Sequence, residues 1–175
     1  PHRPPHRWTL ERHWRFGHEW FASGGLMQGC QRSWVESMSS SDNVHVEVAV
    51  DSLDVEALRG ALDLSGCGSV VSFVGVTRDM DDGVEVERLE FDAWEEQLPA
   101  VLHQLGEQAC AQFGVHSVAL AHRTGIVLAG EPIVAIHVAS PHRAEGFSAC
   151  EWLIDELKAQ APLWKREVRV DGAVW

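Results

Sequence analysis

Val44, Val46, Val48 and Val50 occupy every second position of VHVEVAV, alternating with His45, Glu47 and Ala49, and predict a half-buried strand. DSLDVEALRGALDL then reads as a short helix. GSVVSFVGVTRD is a near-continuous apolar run, which fits a central strand, and Asp82-Gly83 after it is a hairpin-type turn. The following strand, residues 84–94, is therefore expected to pair antiparallel with that run. In EEQLPAVLHQLGEQACAQF, Leu98, Val101, Leu102 and Leu105 recur at helical spacing, with Pro99 tolerable only in the first turn.

Strands are expected at residues 115–122 and 132–140, joined by a glycine-bounded loop over 124–131. FSACEWLIDELKAQA places Phe147, Cys150, Ile154 and Leu157 on one helical stripe, and Pro162 must end that helix. LWKREVRV is the final strand. Mixed strands and helices, hairpin signals and no succession of βαβ units predict an α+β fold with a mainly antiparallel sheet and flanking helices. Residues 1–37 show no clean period and are rich in Arg, His, Trp and Pro, so they read as an N-terminal extension outside the folded domain 38–175. Met38, ahead of a polar run, reads as a natural start; the rival readings are an interaction arm and a targeting segment.

Composition narrows the function classes. The chain has 175 residues, 45% hydrophobic, which suffices for one domain with a substantial core. Its formal net charge of -12 disfavours broad attraction to nucleic acid or an anionic membrane, so any anion must be held in a local basic pocket. The four cysteines, Cys30, Cys67, Cys110 and Cys150, form no CxxC pair and read as buried free thiols of a reducing compartment. Despite ten histidines there is no HExxH and no compact Cys/His cluster, so no metal is expected. No apolar run approaches the length of a membrane span, and a cytoplasmic location is the expectation.

Because cations are scarce, their positions are informative. Arg78 closes the apolar strand; His142 and Arg143 precede a helix in SPHRAEGF; Lys158 lies at that helix's far end, and Lys165 follows the proline. An exposed helix start offers free N–H groups, so Arg143 could clamp an anion there, or it could simply face solvent. His122 and Arg123 in AHRTG precede a turn and look structural. Lys158 suits the last turn of a helix, where a cation complements the dipole, and Lys165 suits a solvated strand. The two can share a site only across the Pro162 bend. Strand alternation then puts Lys165, Glu167 and Arg169 on one face and Trp164, Arg166 and Val168 on the other. Converging ammonium groups depress one another's basicity, which would make a neutral amine available as nucleophile or base.

GSVVSFVGVTRD, LEFDAWEE, HRTGIVLAGE and SPHRAEGFSACEWLIDELKAQAPLWKRE, in that order and spacing, resemble the large, catalytic subunit of molybdopterin synthase across residues 44–175. The resemblance implies an α/β-hammerhead fold and a dimer of large subunits. Each subunit binds a small ubiquitin-like sulfur-carrier subunit with a C-terminal Gly-Gly thiocarboxylate, giving a heterotetramer. The implied activity is sulfur transfer to cyclic pyranopterin monophosphate, forming the molybdopterin dithiolene of molybdenum cofactor biosynthesis, with no cofactor of its own. The implied catalytic residues are Lys158 and Lys165, and the substrate-binding residues Arg78, His142 and Arg143. Relatives often continue past the final tryptophan with a tail that carries a basic residue to the neighbouring subunit's pocket, whereas the sequence here stops at Trp175. A docking partner for the carrier without turnover is the alternative reading.

Overall fold

The computed structural model describes residues 43–174, so the N-terminal extension, Met38 and Cys30 lie outside the described residues. Strand β1 (Val44–Ala49) leads to helix α1 (Val55–Gly60), whose first turn is capped by the Asp54 carboxylate accepting from the Ala57 N–H at 2.9 Å. Then come β2 (Ser69–Val76), the two-residue β3 (Met80–Asp81), β4 (Val84–Ala93) and helix α2 (Leu98–Phe113). Strands β5 (Ser117–Arg123), β6 (Gly125–Leu128) and β7 (Pro132–Ser140) precede helix α3 (Arg143–Gln160), and β8 (Leu163–Arg169) and β9 (Gly172–Val174) end the chain. The α+β expectation holds, and the only parallel pairing among the described strands is β1 with β5.

The first sheet has the order β1-β5-β7-β2. Alternation along its strands sorts two layers. Val118, Leu120, Val134, Ile136 and Val138 face α2 and α3, where they meet Leu98, Leu102, Leu105, Ala149, Leu153 and Leu157. Each such fully buried leucine is worth roughly 2 kcal/mol. Ala119, Ala121, Ala135 and Ala139 face the other way and receive Leu53, Leu58 and Leu62 around α1. Glycine sets how closely the helices sit on the sheet: a Cβ on Gly106 of α2 would lie 2.4 Å from Val44 Cγ1, and one on Gly146 of α3 would lie 2.7 Å from Ser140 Oγ.

The second sheet is built around β4, which pairs antiparallel with β8 along one edge and with β6 and β3 along the other, with β9 beyond β8. Here two expectations are corrected. The Asp82-Gly83 turn exists, with φ of 50° and 81°, but it joins β4 only to β3. β2 instead pairs with β7 from Ser69↔Ser140 to Val76↔Pro132, because a long apolar strand finds its match in the equally apolar β7. The loop over 124–131 also contains a strand, β6, too short to announce itself by period. A third correction concerns α3: its buried stripe is Gly146, Ala149, Cys150, Leu153 and Leu157, while Phe147 is 63% exposed. Gly146 and Ala149, small enough for close contact, turn the helix away from the stripe that large residues alone suggest.

Cys67, Cys110 and Cys150 are free thiols, Cys150 buried and the other two half-buried. Burial pushes the Cys110 and Cys150 thiols up to about 11. Among the described residues no helix is long and apolar enough to cross a membrane.

The Gly106 contact is testable. Gly106→Ala should cost about 1–3 kcal/mol in urea unfolding, the usual cost of overpacking. Gly60→Ala, where a Cβ meets nothing within 4 Å, should be neutral or slightly stabilising. Equal effects of the two would contradict the close approach.

Candidate functional site

The helix α3 stops because Pro162 cannot continue it. Ala161 takes extended angles (φ -64°, ψ 130°) while its N–H still donates to the Leu157 carbonyl at 3.0 Å. The chain then turns at once into β8, and β8 lies along β4 with Lys165 opposite Phe91 and Glu167 opposite Leu89. The result is a cleft of about 470 Å³ at the seam of the two sheets, closed on one side by the end of α3. Apolar walls come from Phe73, Val86, Leu89, Phe91, Ile133 and Ile154. The polar groups are Thr77, Arg78, Asp81, His122, Lys158, Lys165 and Glu167.

Three expected site residues therefore converge: Lys158 from the last turn of α3, Lys165 from β8 and Arg78 from the segment after β2. Strand alternation holds as expected. Lys165 Nζ stands 3.5 Å from Glu167 on the cleft face, whereas Arg166 points away and pairs with Glu90 at 3.3 Å. His142 and Arg143 are not in this cleft. They are exposed at the start of α3, about 22 Å from Lys158 along the helix axis, which is farther than side chains can bridge. The sequence already set these groups at opposite ends of one helix, and the length of α3 fixes how far apart that leaves them.

The cleft's charges are organised rather than scattered. Asp81 accepts from Arg78 at 2.6 Å and also pairs with Arg169; Arg169 Nε in turn donates to Glu167 at 2.5 Å, and Glu167 reaches Lys165. This chain of alternating charge runs from the end of β2 across β3 to β8, so both carboxylates at the cleft are already engaged by cations. The Glu167 hydrogen bond, with Asp81 and Asp171 nearby, raises the Arg169 guanidinium further above its ordinary value. Lys158 has no ion pair among the described residues.

AHRTG proves to hold two different parts. Arg123, 3% exposed, is structural: it donates to Glu131 at 2.7 Å, to the Asp51 carbonyl at 2.6 Å and to the Ile126 carbonyl at 2.9 Å, pinning the β5–β6–β7 corner. Its hydrogen bond holds Glu131 below the usual carboxylate range. His122 instead lines the cleft, against Phe91 in an edge-to-face contact of 5.1 Å. Its Nδ1 is 2.6 Å from the Arg123 carbonyl. Burial pushes the imidazole below its ordinary value, a shift that the carbonyl bond only partly offsets. The sequence singled out His122 only to read it as structural, because nothing in a strand-end dipeptide says which wall its side chain joins.

The sequence model of the family described as "MoaE protein" matches residues 48–160. The molybdopterin synthase catalytic subunit of Arabidopsis thaliana is 36% identical over 140 residues, spanning 79% of this chain and 71% of that protein. The subunit of the same name from Pyrococcus abyssi is 32% identical over 125 residues, spanning 71% of this chain and 84% of that one. Among solved structures, molybdopterin synthase from Staphylococcus aureus superposes with a TM-score of 0.70 at 28% identity, covering 79% of this chain and 97% of that one. A complex of subunits 1 and 2 of molybdopterin-converting factor from Helicobacter pylori, at 23% identity and a TM-score of 0.61, shares the fold over 74% of this chain and 88% of that one.

Two buried histidines make stability depend on pH. His122 and the fully buried His137, whose Nδ1 is 2.8 Å from Ser72 Oγ, are both lowered from 6.5, chiefly by burial. Each binds a proton more readily unfolded than folded, so its contribution is complete above pH 6.5 and is lost as pH falls from there through the folded value. Unfolding free energy from urea titrations should therefore fall between about pH 7 and 5, with a shallower slope in His122→Asn. An identical slope in that variant would remove His122 from the account.

Proposed function

The chain belongs to the MoaE protein family, whose named relatives are molybdopterin synthase catalytic subunits serving molybdenum cofactor biosynthesis, and from its cleft we propose how the work is divided. The chain is an enzyme subunit that takes sulfur from the C-terminal thiocarboxylate of a small ubiquitin-like carrier and places it on cyclic pyranopterin monophosphate, twice, to make the dithiolene. The observation that carries this reading is the meeting of Lys158, Lys165 and Arg78 in one apolar-walled cleft of a chain whose net charge is -12. Cations fixed around an apolar-walled cleft can stabilise charge that develops there during reaction.

Lys158, unpaired and at the mouth of the helix end, has the acid/base role at the pterin carbons and the thiocarboxylate. Lys165, steadied by Glu167, stabilises the negative charge that builds on the carbonyl and on departing oxygen. Arg78, held by Asp81, binds the phosphate in its own cleft. His142 and Arg143 serve the phosphate too, and their distance from Lys158 supports a place in the cleft of a second copy. The free start of α3, with Arg143 beside its exposed N–H groups, suits a phosphate approaching from outside the protomer.

Lys158→Ala should lower dithiolene formation from thiocarboxylated carrier and cyclic pyranopterin monophosphate by about 10²-fold or more, with carrier binding retained. Carrier binding by the unsubstituted protein with no dithiolene would select the docking reading instead. The shared site has its own test. Mixing Lys158→Ala with Arg143→Ala after subunit exchange should restore activity to about a quarter of the intact level, since one site of each mixed dimer keeps both residues. No restoration would mean that Arg143 and Lys158 do not serve one site from two different copies.

A further inference from the structure

The cleft as described is rich in groups that donate protons and poor in groups that accept them. Lys158, Lys165 and Arg78 are cations, and Asp81 and Glu167 are committed to Arg78, Arg169 and Lys165. Thr77, 2% exposed, has a hydroxyl with no partner, but a hydroxyl is a feeble base. His122 is different. A carbonyl can only accept, so the 2.6 Å contact with Arg123 requires the hydrogen to be on Nδ1. In the neutral ring that leaves a lone pair on Nε2, since the ring's hydrogen bond among the described residues is made at Nδ1.

Resting on the sulfurtransferase reading, we infer that His122 is the proton acceptor of the cleft, its tautomer fixed by the Arg123 carbonyl and its ring held edge-on by Phe91 so that Nε2 is free for the reacting groups. Each transfer returns the carrier as a carboxylate, so an acyl carbon–sulfur bond is broken and an acyl carbon–oxygen bond to water is made. Once the carrier's sulfur has bonded to a pterin carbon, the carrier is held there as a thioester; water's oxygen then bonds to its acyl carbon while one of the water's protons passes to Nε2. The carbon–sulfur bond then breaks with its electron pair on sulfur, which stays with the pterin. The imidazolium returns its proton to that sulfur, and the new carboxylic acid ionises to solvent. In this hydrolytic step Lys158 and Lys165 stabilise the oxyanion of the intermediate, and the acid/base role of Lys158 belongs to the steps that join sulfur to the pterin carbons.

Burial suits the ring to this part, because it pushes the imidazole below its ordinary value and so favours the neutral, proton-accepting form. The charged groups that share the cleft with it are Arg78 after β2, Asp81 of β3, Lys158 of α3, and Lys165 and Glu167 of β8; β4 and β7 present Phe91, Leu89, Ile133 and Val134.

His122→Asn is the informative variant, since the asparagine amide can replace Nδ1–H as donor to the Arg123 carbonyl while removing Nε2. Single-turnover dithiolene formation should fall by about 10²-fold or more, with carrier and cyclic pterin binding unchanged, and added imidazole should restore part of the rate. An unimpaired rate, or a loss matched by equal loss of pterin binding and unmoved by imidazole, would overturn the assignment. Should the variant not fold, the unsubstituted protein decides. Its single-turnover rate should fall on the acid side with a midpoint below the ordinary histidine value, and a flat profile between about pH 5 and 8 would overturn the role. An unsubstituted protein that makes no dithiolene at any pH would instead sink the sulfurtransferase reading, and the role of His122 with it.

Discussion

Everything at the cleft depends on where α3 is made to stop. An uninterrupted helix would carry residue 165 onward along its own axis, away from the second sheet. Pro162 removes a hydrogen-bond donor and forces Ala161 into extended angles, so the chain leaves the helix in a single step. The segment beyond the proline is captured by β4, whose long pairing with β8 fixes the register of the new strand. Two lysines seven residues apart thereby arrive at one cavity from different elements, one on a helix end and one on a strand face.

The second sheet supplies the electrostatic frame. A lysine in an apolar recess needs something to hold it in place, yet a carboxylate close enough to do so also cancels part of its charge. The chain of Arg78, Asp81, Arg169, Glu167 and Lys165 resolves this by sharing each carboxylate between two cations. The cations are oriented, the carboxylates are desolvated only in company, and an excess of positive charge remains where anionic substrate groups would enter. Lys158, outside the chain, keeps its freedom to move.

The parts of this arrangement that were legible in the sequence are the local ones. The period-2 face of β8 is local, so Lys165 and Glu167 together, and Arg166 apart, could be read directly. The helix stop at Pro162 is local too. Strand pairing is not: Asp82-Gly83 announced a hairpin, but the choice between β7 and β4 as partner of β2 depends on contacts some sixty residues away. Which cations meet at the cleft is likewise decided by the fold. Arg78 and Lys158 reach the cleft through the fold, whereas His142 and Arg143, as basic and as exposed, are carried to its far side by the helix that separates them from Lys158. His122 lay in a dipeptide whose two members go to opposite tasks, a distinction made by the corner at Arg123 rather than by residue type.

The seating of α3 at Gly146 has a mechanical side. There the helix touches Ser140 and Val71 with no side chain between, which makes that point its fulcrum. Lys158 is twelve residues farther on, an arm of about 18 Å, so a tilt of 5° at the fulcrum swings the ammonium group by about 1.5 Å. A methyl group introduced beside Gly146 is thus felt first as backbone displacement and last, amplified, as misalignment at the reacting end.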